Sequence, residues 1–127
     1  MYLEKIKING LDDIYIISNV RKEFEKAVNE AWKEKPPWER FQKKLIADLA
    51  VLSELKERAI DLQQFEKLSG EKELYSIRHP ETKKNIRVVY TIDEHQIILL
   101  TAFLEKNDGD YLRAIRTARK RLEWLNS

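Results

Sequence analysis

"IRVVYTIDEHQIILLTAF", residues 86–103, decides the fold. Two runs rich in β-branched and aromatic residues are separated only by Asp93, Glu94 and His95, the pattern of two antiparallel strands joined by a tight turn. In the first run Ile86, Val88, Tyr90 and Ile92 share one face, and Arg87, Val89 and Thr91 share the other. The second run, "IILLTAF", is apolar on both alternating sets, as a central strand covered on two faces must be. Upstream, across "PETKKN", the segment from Leu74 to His79 repeats the alternation. The expectation is a three-stranded antiparallel meander over about Leu74 to His79, Ile86 to Ile92 and Gln96 to Phe103.

Register follows from matching apolar faces. With His79 opposite Ile86, Ile77 meets Val88, Tyr75 meets Tyr90, and Arg78 faces Arg87. Like charges directly opposite on a sheet repel by a few tenths of a kcal/mol or more, so the arrangement makes better sense with an anion between the two. A bound phosphate would serve, since arginine forks grip phosphate bidentately. A surface network with Glu71, Glu73 or Glu105 would serve as well, and periodicity does not choose between them.

Outward from the meander, "LEKNDGDYLRAIRTARKR" turns abruptly polar and then helical. Asp108 is the expected N-cap of a terminal helix with Leu112, Ile115, Leu122 and Leu125 on one stripe and arginines on the rest. Lys106 then emerges near one end of the Arg78–Arg87 surface, and Tyr111 lies in the first turn of the helix. Toward the N-terminus, "YLEKIKI" and "DIYII" flank a turn at Asn9-Gly10, and one or both are strands. Val20, Phe24, Ala27, Val28, Ala31 and Trp32 form a helical stripe that Pro36 and Pro37 end. A second helix is expected from about Trp38 to Ala59, with Phe41, Leu45, Leu49, Leu52 and Leu55 along one side, antiparallel to the first, and "DLQQFEKLSGEKE" reads as a connection. The order is strand, helix pair, three antiparallel strands, helix: an α+β domain over residues 1–127.

At 127 residues the chain suits one domain. Twenty-four Lys and Arg against 22 Asp and Glu leave a net charge of only +2, so overall charge does not announce a polyanion partner. Basic residues cluster locally, however, at Arg78, Lys83, Lys84 and Arg87 against Glu81 alone, and again from Arg113 to Arg121 with no acid. The absence of cysteine excludes disulfides, thiolate metal sites and a cysteine nucleophile, and suits a reducing, cytoplasmic setting. The N-terminus has no apolar signal core, and no window approaches the roughly 18 apolar residues of a membrane span. His79 and His95 have no ligand-like spacing, so a metal site is not expected.

From Glu73 to Arg121 the chain resembles the second half of toxins of the RelE/HigB superfamily (RelE/ParE superfamily), from type II toxin–antitoxin modules. The likeness rests on Leu74-Tyr75-Ser76-Ile77-Arg78, on Arg87-Val88-Val89-Tyr90, on the apolar strand from Leu99 to Lys106, and on the Ala- and Arg-bearing last helix. The resemblance implies a RelE-like fold and a ribosome-associated messenger-RNA endoribonuclease (mRNA interferase) that inhibits translation and is neutralised by a protein antitoxin. It implies no cofactor and no metal. Carried over, Arg78, Arg87, Lys106 and Tyr111 are the expected catalytic set, and cleavage proceeds by attack of the ribose 2′-hydroxyl on the adjacent phosphate. His79, Lys83 and Lys84 in the turn, with Arg113, Arg116 and Arg119 on the last helix, are the expected RNA-binding residues. A structural role for His79 and a solvated helix face for the arginines are the bland alternatives. Three positions depart from the pattern: Thr101 replaces a frequent His, Ser76 a frequent basic residue, and Glu105 interrupts a basic pair. A non-catalytic member of the same fold, such as a gyrase-inhibiting ParE-like protein or a degenerate phage or mobile-element protein, is the second reading.

Overall fold

The computed structural model describes residues 1–8, 10–32, 34–79 and 85–127, except the side chain of His79. Six strands form one sheet, β1 (Leu3–Lys5), β2 (Ile14–Ile17), β3 (Phe65–Lys67), β4 (Tyr75–His79), β5 (Asn85–Asp93) and β6 (Gln96–Glu105), in the spatial order β1-β2-β6-β5-β4-β3. Between β2 and β3 come α1 (Val20–Ala31), α2 (Trp38–Leu55) and a 3-10 helix (Lys56–Asp61), and α3 (Asp108–Leu125) closes the chain. This is the expected α+β arrangement of N-terminal strands, helix pair, meander and terminal helix.

The meander has the register that its apolar alternation dictates: Tyr75 opposite Tyr90, Ile77 opposite Val88, Arg78 opposite Arg87 and His79 opposite Ile86. Tyr75 and Tyr90 stack with ring centroids 5.2 Å apart. Between β5 and β6 the pairing steps from Val89–Thr101 to Tyr90–Leu99, which leaves Leu100 as the extra residue of a bulge. Both N-terminal runs are strands: β1 pairs antiparallel with β2, and β2 pairs parallel with β6 over Ile14–Ile97 to Ile16–Leu99. The turn before β2 has Gly10 at φ 82° with Leu11 N–H donating to Ile8; Asn9 lies outside the described residues.

The first two helices follow the predicted stripes, whereas in α3 only Leu122 of the expected stripe is buried: Leu112 is 57% exposed, and Ala114, Ala118 and Arg121 fill the inner face. Val20, Phe24, Ala27, Val28 and Ala31 of α1 are buried, as are Phe41, Leu49 and Leu52 of α2. α1 runs alongside β6, from Glu23 at Thr101 to Glu30 near Lys106. Trp32 meets Phe41 edge-on at 4.8 Å, and α2 then returns, so that Ser53 and Lys56 at its far end bond Asp13, just before β2. Together with β1, the helix pair lines an open cleft over Ile16, Val88 and Leu99.

Three details differ from the expectation. The second helix stops at Leu55 rather than running to Ala59, because Lys56 adopts φ 53° and its ammonium pairs with Asp13. No glycine or proline marks that break; a long-range ion pair makes it. The segment read as a connection contains β3, three residues paired to β4 at Phe65–Ile77, Glu66–Ser76 and Lys67–Tyr75, too short for alternation to reveal. The terminal helix is capped by Asn107, not Asp108. The Asn107 side chain accepts from Asp110 N–H at 3.1 Å, and the Asp110 carboxylate accepts from Asn107 N–H at 3.2 Å, a reciprocal capping box.

β2 accompanies β6 only as far as Leu99. The edge beyond is closed by a side chain: Arg121 of α3 donates to the Leu100 carbonyl at 2.7 Å and grips Glu23 of α1 through two nitrogens at 2.7 and 2.8 Å. Thr101 donates to the same carboxylate at 3.0 Å. This network fixes α3 against the sheet and therefore fixes Tyr111.

Candidate functional site

Register places Arg78 and Arg87 on the sheet face where α3 begins. Arg87 is only 8% exposed, so burial would be costly without partners. It has several. Nη1 donates to Glu66 at 3.2 Å and to Ser76 Oγ at 3.2 Å, Nη2 donates to Glu105 at 3.3 Å, and Nε lies 3.3 Å from the second Glu105 oxygen. Asn85 also donates to Glu105 at 3.3 Å. The guanidinium carbon stands 5.7 Å from the Tyr111 ring centroid, within cation–π range.

Arg78 is more open. Its Nη2 donates to the Gln63 carbonyl at 2.9 Å, its backbone N–H donates to Gln64, and its Nε lies 3.8 Å from Glu66. That last distance is too long for a hydrogen bond, and this buried Nε has no partner among the described residues. Glu66 therefore sits between the two arginines, at the position that register requires an anion to fill. Burial pushes the Tyr111 hydroxyl above its usual value, Glu66 adds to the rise, and Arg87 opposes it. At neutral pH this phenol is protonated and can donate.

The structure brings Arg78, Arg87 and Tyr111 together. Lys106 stands apart: it is largely exposed, and its ammonium lies 3.8 Å from Glu30 of α1. Arg113 pairs with Asp110 in the first turn of α3, and Arg116 is exposed. Arg119 is a strap, donating to Glu71 through Nε at 2.7 Å and to the Lys72 carbonyl at 3.1 Å. His79 continues the β4–β5 ladder opposite Ile86; its side chain, Lys83 and Lys84 lie outside the described residues.

Sequence reasoning missed Glu66, because β3 is invisible to periodicity; of the alternatives it weighed, Glu71 instead pairs with Arg119. It did weigh Glu105 as a neutralising partner, and that contact forms. Ser76, noted for the absence of a basic residue, supplies a hydroxyl to Arg87 instead. Among the described residues no group of three or more His, Asp or Glu is placed to hold a metal ion.

A sheet flanked by helices, with two arginines and a tyrosine gathered on one polar face, defines an α+β protein whose site is built around a buried cation. The family model Phage derived protein Gp49-like (DUF891) matches residues 19–123. The chain belongs to this phage-derived Gp49-like family, which is toxin-like in character. The match begins at the residue before α1 and takes in every member of the arginine site. No curated protein and no solved structure matches the chain.

Proposed function

We propose that the protein is the toxin of a type II toxin–antitoxin pair and acts in the cytoplasm as a ribosome-associated messenger-RNA endoribonuclease, held in check by a protein antitoxin. The observation that carries this reading is the Arg78–Arg87 pair, with the Tyr111 ring against Arg87. Two positioned guanidinium groups suit a phosphodiester, and fixed cations stabilise charge that develops on a phosphorane-like transition state. The ribose 2′-hydroxyl gives its proton to solvent water and attacks the adjacent phosphorus, the bond to the 5′-oxygen breaks, that oxygen takes up a proton, and the products are a 2′,3′-cyclic phosphate and a 5′-hydroxyl end. The protonated Tyr111 hydroxyl donates to a phosphate oxygen or to the departing one. Lys106 and Arg116, both exposed, contribute general attraction for the RNA backbone. The toxin-like family and the acid-free basic run from Arg113 to Arg121 support this assignment. No helix among the described residues is long and apolar enough to cross a membrane.

The test is controlled expression with primer-extension mapping of cellular transcripts for the wild type, Arg87→Ala and Tyr111→Phe. Wild type is expected to arrest growth and cut messages; Arg87→Ala leaves them intact and Tyr111→Phe reduces cutting. Growth arrest with intact transcripts would overturn the reading.

One observation favours a non-catalytic alternative: Glu66 and Glu105 already occupy the Arg87 nitrogens. On that reading the protein binds and inhibits a target such as DNA gyrase. A fall in supercoiling activity without RNA cleavage would select it.

A further inference from the structure

Two arginines and two glutamates make the site electrically neutral as it stands, which poses the question of how an anion enters it. We propose that Glu66 is an internal substitute for the ligand's phosphate, and that a ribose-phosphate backbone opens the site by displacing this one carboxylate while Glu105 stays. The proposal rests on the RNA-directed reading above, and it adds a residue that excludes ligands until they compete for its place.

The two carboxylates are held differently. Glu105 ends the ten-residue strand β6, is bonded by Asn85 and by Arg87 Nη2, and its side chain is 20% exposed. Glu66 sits on the three-residue strand β3, which lies at the sheet edge with β4 as its one neighbour, and its side chain is 40% exposed. Glu66 is the more exposed of the two carboxylates and sits on the less anchored strand, while Arg87 retains Glu105 and Ser76 when it goes, so Glu66 is the partner that can leave.

What remains after its departure is already fixed. Arg87 keeps Ser76, Glu105 and the Tyr111 ring, and Arg78 keeps the Gln63 carbonyl. The vacated space is faced by Arg87 Nη1 and by Arg78 Nε, which, like Arg87 Nε on the Glu105 side, is a buried donor with no hydrogen-bond partner among the described residues. A native structure seldom leaves such a donor unmet without reason. The two non-bridging oxygens of a phosphodiester stand farther apart than the two oxygens of a carboxylate, so one can meet each donor. The balance of charge agrees: with Glu66 swung aside, two arginines and one glutamate leave a single positive charge, matching one phosphodiester.

The test is fluorescence-anisotropy binding of a labelled 2′-O-methyl oligoribonucleotide, which cannot undergo 2′-hydroxyl attack, at fixed salt. Glu66→Gln is expected to bind about tenfold more tightly than wild type, with the gain abolished in Glu66→Gln combined with Arg78→Ala. Glu39→Gln, which makes the same charge change at an exposed position of α2, is expected to bind as wild type. A DNA oligonucleotide of the same sequence separates recognition of phosphate alone from recognition of the RNA backbone. Unchanged or weaker binding by Glu66→Gln overturns the proposal, as does a gain that survives Arg78→Ala or is matched by Glu39→Gln. Tighter binding by Glu66→Gln with no cleavage of ordinary RNA by the wild type would leave the displaceable carboxylate standing and remove the nuclease.

Discussion

Arg87 is both the most heavily partnered side chain of the polar face and the centre of the proposed chemistry, so its variants separate charge from geometry. Lysine at this position keeps a point charge but cannot serve Ser76, Glu66 and Glu105 together. Arg87→Lys is therefore expected to fold, to melt several degrees lower, and to lose at least tenfold in RNA binding, as thermal denaturation and anisotropy will show. Tyr90 makes the opposite prediction. Its hydroxyl is fully buried without a hydrogen-bond partner among the described residues, and burial pushes its ionisation far above the ordinary phenol value. Removing an unmet polar group is neutral or stabilising, so Tyr90→Phe should leave the urea midpoint unchanged or raise it. The facing of Arg78 and Arg87 was legible in the sequence, because strand alternation fixes which side chains share a face. Glu66 was not, because a three-residue edge strand gives no period and its placement depends on pairing with β4.

The elements that aim the site are held by contacts that span the sequence. α3 begins at the Asn107 capping box, and Asn107→Ala is expected to cost about 1 kcal/mol while loosening the turn that carries Tyr111. Its other end is fixed by the Arg121–Glu23 pair, and Arg121→Met should cost about 3 kcal/mol by stranding a partly buried carboxylate; denaturant titration reads both losses. At the end of α2, burial raises the Asp13 carboxyl, but hydrogen bonds from Lys56 and Ser53 and the Lys56 charge outweigh it and leave the group below its usual value. A carboxyl depressed by folding stabilises the native state above its unfolded value, and the contribution disappears as pH falls through the lower folded value. Asp13→Asn should therefore be destabilising at neutral pH and show a shallower loss of stability below about pH 4. α1 and α2 were readable from their apolar stripes, whereas the inner face of α3 was not, because small alanines and the paired Arg121 fill it in place of Leu112. The early end of α2 and the closing of the β6 edge were not, since each is made by residues about 40 to 100 positions apart.

Across the whole molecule, a nearly balanced net charge conceals an uneven layout. The cations at the centre of the site are neutralised internally by Glu66 and Glu105, whereas the exposed face of α3 carries Arg113, Arg116 and Lys120. Fold class was legible because meander, helix stripes and turn signals all agree. The meeting of Arg78, Arg87 and Tyr111 was legible only in part, because Lys106 turns toward α1. Family membership defines a toxin-like protein, while the chemistry depends on what the arginine pair does to a phosphodiester. The most direct measurement is end-group analysis of a defined message incubated with ribosomes and purified protein. The account predicts fragments ending in a 2′,3′-cyclic phosphate and a 5′-hydroxyl, none when the nucleotide 5′ of the cut carries 2′-deoxyribose, and none with Arg87→Ala. Uncut message, or cutting that persists without the 2′-hydroxyl, would contradict it.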